Sequence, residues 1–329
     1  MKRILQIAFV VALTVFFLWL FLRNANLQQV GQILRSATFS WVLVGFAVNA
    51  TALLLRTIRW RILLDPDDPP PFFATFFANT VGYMLSIILP IRAADVARPA
   101  LLARRTSHRF SGALGTVLTE RVLDLTSILL LFVTFAFLRW NEFSHDASIA
   151  SWFYIVRAGA VASVVLLAAL ASLMIGLTFF RDSIRRLHER LGRILPVRFR
   201  SPWMHFFDSF TETLKITQNR RVFLQIVLCT AGVWLCLTSQ FWFATKAVHH
   251  PLPFDSSFFV TGVTTVGLAI PTPGGIGGFH KACQLVLTRF YGFGIDASVA
   301  VAVLFHLIGT LPVLITGLIL FAREGLPRA

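Results

Sequence analysis

An all-α polytopic membrane protein is predicted by three observations. Of the 329 residues, 56% are hydrophobic and only 14% charged, more apolar surface than a soluble domain can hide. Several uncharged runs reach the roughly 18 residues needed to cross a bilayer. Two apolar runs are interrupted by proline and glycine, and such a break at membrane depth is tolerated only where protein or a water-filled cavity satisfies its backbone. The expectation is about six full transmembrane helices plus two opposed re-entrant helical hairpins, in a single domain over residues 1–329.

Ile4 to Leu22 is the first span, and its lack of a small-x-small site favours a retained helix over a cleaved signal peptide. Arg23 to Ser40 is a short connection, and Trp41 to Leu64 the second span, with Arg56, Arg59 and Arg61 near its end. Asp65-Pro66-Asp67-Asp68-Pro69-Pro70-Pro71 stops any helix. Phe72 to Ile91 is uncharged and leads into Arg92-Ala-Ala-Asp95-Val-Ala-Arg98. Ser111 to Leu138 spans although it carries Glu120, Arg121 and Asp124; Ala158 to Phe180 and Val222 to Thr245 span without acidic residues. Ser256 to Tyr291 contains the break Pro271-Thr-Pro-Gly-Gly-Ile-Gly-Gly, and Ala297 to Ala322 is the last span, its ionisable residue being His306.

Orientation follows from Lys and Arg in the loops. Arg181–Arg221 holds ten and Arg92–Arg109 five, against two each in Arg23–Ser40 and Arg139–Arg157 and one in Lys246–Asp255. Both basic segments fall on the cytoplasmic side if Phe72–Ile91 enters and leaves from that side and Ser256–Tyr291 from the other. Both termini are then cytoplasmic, in the inner membrane. Thr80-Val81-Gly82 running to Pro90 lies beside Thr265-Val266-Gly267 running to Pro271 as a weak internal repeat. Opposed broken segments are the arrangement of inverted-repeat transporters.

The net charge of +15 would suggest nucleic acid in a soluble protein. Here the basic residues flank apolar spans, so orientation and anionic headgroups explain them and no nucleic-acid partner is expected. Over 181–221, Ile184, Leu187, Leu191, Ile194 and Leu195 share a helical face, and Trp203, Phe206, Phe207, Phe210 and Leu214 repeat the pattern. This segment reads as cytoplasmic interfacial helices on anionic lipid, with a partner-docking surface as the alternative. Cys229, Cys236 and Cys283 sit in apolar runs without ligand spacing, as buried small hydrophobes; neither a metal nor a cofactor is expected.

An ionisable group at the centre of a bilayer costs at least ~2.5 kcal/mol, so it pairs or faces a cavity. Glu120 and Asp124 lie about 13 and 20 Å into their span at 1.5 Å per residue and share a face. Two readings stand: an internal salt bridge to Arg56, Arg59, Arg92 or Arg98, with Arg121 three residues from Asp124, or a proton- or lipid-coupled role. Arg92, Asp95 and Arg98 recur every three residues, so the two guanidiniums form a phosphodiester grip or serve as positive-inside charge. Gly274, Gly275, Gly277 and Gly278 either offer backbone N–H groups to an anion at a helix start or form a tight-packing hinge. His280 follows them, and its charge state is not legible in the sequence. His306 reads as a hydrogen-bonded core residue, with a proton carrier as the alternative.

Arg56-x-x-Arg59-Trp60, Leu89-Pro90-x-Arg92-x-x-Asp95-x-x-Arg98, Glu120-Arg121-x-x-Asp124 and the Pro271–Gly278 break, in this order along nearly the whole chain, resemble the transmembrane, flippase-like region of lysylphosphatidylglycerol synthetases and their stand-alone relatives. The resemblance implies an integral membrane protein that moves, or helps to move, a polar lipid between leaflets. Two departures matter: Ala94-Asp95 stands where the family has Gly-Glu, and His280 where it has an acidic residue. A carboxylate proton carrier is therefore not expected at position 280, and lysyl transfer is not expected of this chain. The expected substrate is an anionic or zwitterionic, phosphate-bearing lipid held by Arg59, Arg92, Asp95, Arg98 and the four glycines, with Glu120, Arg121, Asp124 and His280 coupling the charges. The alternatives are an accessory subunit of a lipid-using enzyme and, less favoured, a headgroup transferase. Oligomeric state is not legible.

Overall fold

The computed structural model describes residues 2–89, 94–139, 150–179 and 219–324. The described residues form helices and one short 3-10 turn, with no strand among them. Helix α1 is Lys2–Leu22, α2 Leu27–Arg35, α3 Phe39–Leu64, α4 Phe72–Ile88, α5 Ala94–Ala103 and α6 Phe110–Leu138. They are followed by α7 Ala150–Phe179, α8 Arg220–Ala247, α9 Ser256–Gly267, α10 Gly278–Phe290 and α11 Ile295–Glu324. By length and composition, α3, α6, α8, α11 and the Tyr154–Ser172 part of α7 can cross a membrane, and the bent pair α1–α2 makes up to six.

The two interrupted segments are helix–break–helix units. α4 has 17 residues, α9 has 12 and α10 has 13, which at 1.5 Å per residue is about 26, 18 and 20 Å, short of a hydrocarbon core of about 30 Å. α4 packs on α5 and α9 on α10, and both units lean on α11 through α4 and α10. Gly317 of α11 lets it approach α4: a Cβ there would lie 2.6 Å from the Met84 Cβ. α11 is thus the post between the two broken units.

Each boundary has a local cause. α3 stops at Asp65, whose Oδ1 accepts the N–H groups of Asp67 and Asp68, and Arg61 Nε donates to the Pro70 carbonyl at 2.7 Å. Asn219 caps α8, its Oδ1 accepting from the Arg221 and Val222 N–H groups. The connection expected over 23–40 is in fact mostly helix: α2 turns 81° from α1. Asn26 caps it through the Gln28 and Gln29 N–H groups, and its own N–H donates to Asp296 Oδ1 at 2.7 Å, tying α2 to the start of α11. Nine residues is too short to register as a span, but the Asn cap ahead of Leu27, Val30 and Leu34 was the available signal.

The largest apolar cluster joins α6, α8, α9, α10 and α11 through Phe135, Phe241, Phe259, Phe279, Phe290 and Phe305. Phe135 and Phe259 stack with centroids 4.7 Å apart. At that end, Arg139 holds Asp255 through two hydrogen bonds, from Nε to Oδ2 and from Nη2 to Oδ1, the latter 2.8 Å, and these bonds lower the Asp255 pKa. A second cluster, with Trp60, Phe77, Met84, Leu102 and Val117, underlies the charged residues of α3, α5 and α6. Large side chains such as Phe9, Trp19, Leu130 and Leu228 stay exposed, as lipid-facing residues do. The segment expected to be interfacial, 181–221, lies outside the described residues up to position 218.

Candidate functional site

Arg59 of α3, Arg98 of α5 and Glu120 of α6 each have 0% of their surface exposed. Arg59 Nη1 donates to Asp124 Oδ1 at 2.9 Å and Nη2 to Glu120 Oε1 at 3.4 Å. Arg98 Nη1 lies 2.8 Å from Glu120 Oε2, a charge contact without hydrogen-bond alignment. One carboxylate therefore bridges two buried guanidiniums from different helices. Arg121 extends the network, 3.4 Å from Asp95 Oδ1 and 3.5 Å from Asp124 Oδ2. Taking such charges out of water costs several kcal/mol each, which is offset only by mutual pairing and full hydrogen bonding.

The hydrogen bonding is not full. Arg98 Nε and Nη2 and Arg59 Nε are buried without an acceptor among the described residues. The face of the Arg98 guanidinium is covered instead: it lies 4.3 Å from the Trp60 ring centroid and 5.0 Å from that of Tyr83. Tyr83 carries a second guanidinium, Arg56, also at 5.0 Å. Trp60 is fixed by its own Nε1–H, which donates to Thr116 Oγ1 at 2.9 Å. Thr230 Oγ1 accepts from Arg59 Nη1, and Trp234 Nε1 donates to Asp124 Oδ1, each at 3.4 Å. Gly82 makes room for Arg98: a Cβ there would fall 2.3 Å from the arginine Cγ.

The glycine break is built differently. Gly274, Gly275 and Gly277 take φ of 58, 72 and 91°. The Gly275 N–H donates to the Thr272 carbonyl at 3.0 Å and that of Gly277 to His280 Nδ1 at 3.4 Å, so these two amides are already used within the loop. The loop is also packed tightly, since a Cβ on Gly277 would meet Phe17 Cβ of α1 at 2.6 Å. On Gly278 it would meet the Gly267 carbonyl at 2.6 Å, so the α9 and α10 backbones touch. Gly274 meets α4 at the Ile87 carbonyl, and its own carbonyl accepts from His306 Nε2 at 2.9 Å. Because a carbonyl only accepts, His306 carries its proton on Nε2. The His280 and His306 rings lie 4.6 Å apart, packed against Phe21 and Phe279.

Of the residues singled out in the sequence, Arg59, Arg98, Asp95, Glu120, Arg121 and Asp124 come together in one network. Gly274, Gly275, Gly277, Gly278 and His280 form a second locus, joined to the first by α4, which meets Arg98 at Gly82 and the break at Ile87. Those positions are five residues apart, about 7.5 Å along the helix. Arg92 lies outside the described residues. Tyr83, Trp60, Thr116, Thr230 and Trp234 were not singled out for the site, and only the Arg-Trp pair at positions 59 and 60 pointed to any of them.

A family model described as the lysylphosphatidylglycerol synthase TM region matches residues 4–317. Among curated proteins, the UPF0104 membrane protein MJ1078 of Methanocaldococcus jannaschii is 25% identical over 238 residues, 72% of this chain and 92% of that protein. With five to six membrane-crossing helices and a family match over almost its whole length, this chain is a multi-pass membrane protein of the lysylphosphatidylglycerol synthase transmembrane-region family.

Proposed function

We propose that the protein translocates a phosphate-bearing polar lipid between the leaflets of the cytoplasmic membrane, with both termini on the cytoplasmic side. The observation that carries this reading is the pair of fully buried guanidiniums, Arg59 and Arg98, sharing Glu120 while three of their N–H-bearing nitrogens lack an acceptor. A phosphodiester offers acceptors in the planar fork geometry that those donors leave empty. As phosphate enters, it takes over Arg98 from Glu120, and the released carboxylate strengthens its hold on Arg59. As it leaves, the Arg98–Glu120 pair re-forms, so neither of these two groups is left without an opposite charge. The break around Gly274–Gly278, with His280 and His306, is the hinge through which α4 feels the state of the second broken unit. Both broken units enter the membrane from opposite faces and return.

The lipid itself is unchanged in this reading, and transport, not headgroup chemistry, is the activity. Protein reconstituted into liposomes is expected to move a labelled phospholipid to the opposite leaflet, with Arg98→Ala abolishing the movement. Two results overturn the reading: wild-type protein that moves no labelled lipid with or without a proton gradient, and a lipid whose mass changes on incubation.

A further inference from the structure

The charges gathered at the network do not cancel. Arg56, Arg59, Arg98 and Arg121 face Asp95, Glu120 and Asp124, four guanidiniums to three carboxylates among the described residues. The surplus is attributable to one residue. Arg56 forms no ion pair among the described residues; half-buried, it rests on the Tyr83 ring within electrostatic reach of Asp124. Arg98 shares the same ring at the same 5.0 Å. Tyr83 therefore carries both the surplus cation and the guanidinium whose Nε and Nη2 are buried and unsatisfied. In a low-dielectric setting such an excess calls for one compensating negative charge.

We propose that the network selects a headgroup of net charge −1, a phosphodiester without a compensating ammonium, over zwitterionic and cationic headgroups. This rests on the translocation reading for its place in function, but the selectivity is a property of binding. A choline or lysyl ammonium following the phosphate would bring a cation toward Arg56, Arg98 and Arg121. Like charges brought together in a setting drier than water repel, and the expected preference is at least about tenfold. Arg56 is the selecting residue, and Arg59 and Arg98 are the gripping ones.

The experiment uses the full chain purified in detergent and exposed to equal mixtures of phosphatidylglycerol and phosphatidylcholine, with lipid retention read by native mass spectrometry. Wild type is expected to retain phosphatidylglycerol at least about tenfold over phosphatidylcholine. Arg56→Gln makes the described network three to three and is expected to bring that ratio close to one; Arg56→Lys keeps the charge and the preference. Equal retention by wild type, or an unchanged ratio in Arg56→Gln, overturns the proposal. Excess inorganic phosphate is expected to leave retention unchanged; displacement of the lipid would mean that the site reads free phosphate and would overturn lipid selectivity. Leaflet-to-leaflet movement of the same two lipids separates the two claims. Selective binding without movement sinks translocation alone, whereas equal movement of both lipids with equal retention sinks selectivity alone.

Discussion

The charged network and the glycine break sit about 7.5 Å apart along α4, and they solve opposite problems. In the network, polar groups are present in excess of their partners: Arg98 has two buried nitrogens without an acceptor. At the break, the Gly275 and Gly277 amides are taken up by Thr272 and His280, and the Gly274 carbonyl by His306 of α11. The first region leaves guanidinium nitrogens without acceptors, whereas the second already uses two of its four glycine amides. Glycine supplies close packing in both, under Arg98 at Gly82 and between α9 and α10 at Gly267 and Gly278. Under the proposed function, recognition and bending fall in different places, although the sequence presents glycine clusters and arginine clusters alike as anion binders.

The contrast breaks most severely at Glu120. Glu120→Ala leaves Arg98 without a carboxylate and Arg59 with only Asp124, and removing one partner of a buried pair costs about 4 kcal/mol. The expected result is the lowest thermal midpoint of any single variant here, read by size-exclusion chromatography after heating in detergent. Gly277→Ala tests the other side. Its φ of 91° and the 2.6 Å approach to Phe17 predict a cost of about 3 kcal/mol. If the two regions are separate in role, this variant retains lipid like wild type once folded, and loss of retention would join them.

Thr116→Val sharpens the network side with a smaller effect. It strips the acceptor from the fully buried Trp60 indole and is expected to cost about 2 kcal/mol. Thr116→Ser, which keeps the hydroxyl, should recover most of it. The smallest effect belongs to the Arg139–Asp255 clamp, distant from both regions. Its hydrogen bonds lower the Asp255 pKa, so the unfolded chain binds the proton at a higher pH than the folded one. The contribution is complete above the unfolded carboxylate value of about 3.9 and fades as pH falls through the lower folded value. Part exposure limits it to about 1 kcal/mol. Asp255→Asn should remove that acid-dependent component from the melting curve and leave the neutral-pH lipid retention unchanged.

Much of the network was legible because charge inside an apolar run is conspicuous. Glu120 and Asp124 are one helical turn apart, and pairing to Arg59 and Arg98 is among the partners that burial demands. Tyr83 and Trp60 were not legible as walls of the site. An aromatic residue in a membrane run reads the same whether it faces lipid or covers a guanidinium, and only the meeting of α3, α4 and α5 distinguishes the two. Gly82 was visible only as part of a weak repeat, since a glycine's reason for being small lies on the helix that packs against it. At the break, the run of glycines was legible as irregular backbone, but not where its N–H groups point. That depends on the positive φ values and on His280 and His306, the latter brought in from α11. The helical character of α2 was hidden by its length.

The seating of α1 has a consequence for how the molecule is made. Its Phe21 carbonyl accepts from Gln284 Nε2, its Phe17 fills the hollow at Gly277, and the neighbouring Asn26 binds Asp296. α1 thus leaves the ribosome well ahead of its partners, which lie about 250 residues further on. At roughly 5–20 residues per second, it waits at least about ten seconds among lipids before they arrive. Its apolar sequence, carrying no charge from Ile4 to Leu22, is suited to that wait, and the bundle closes only once α10 and α11 have been made.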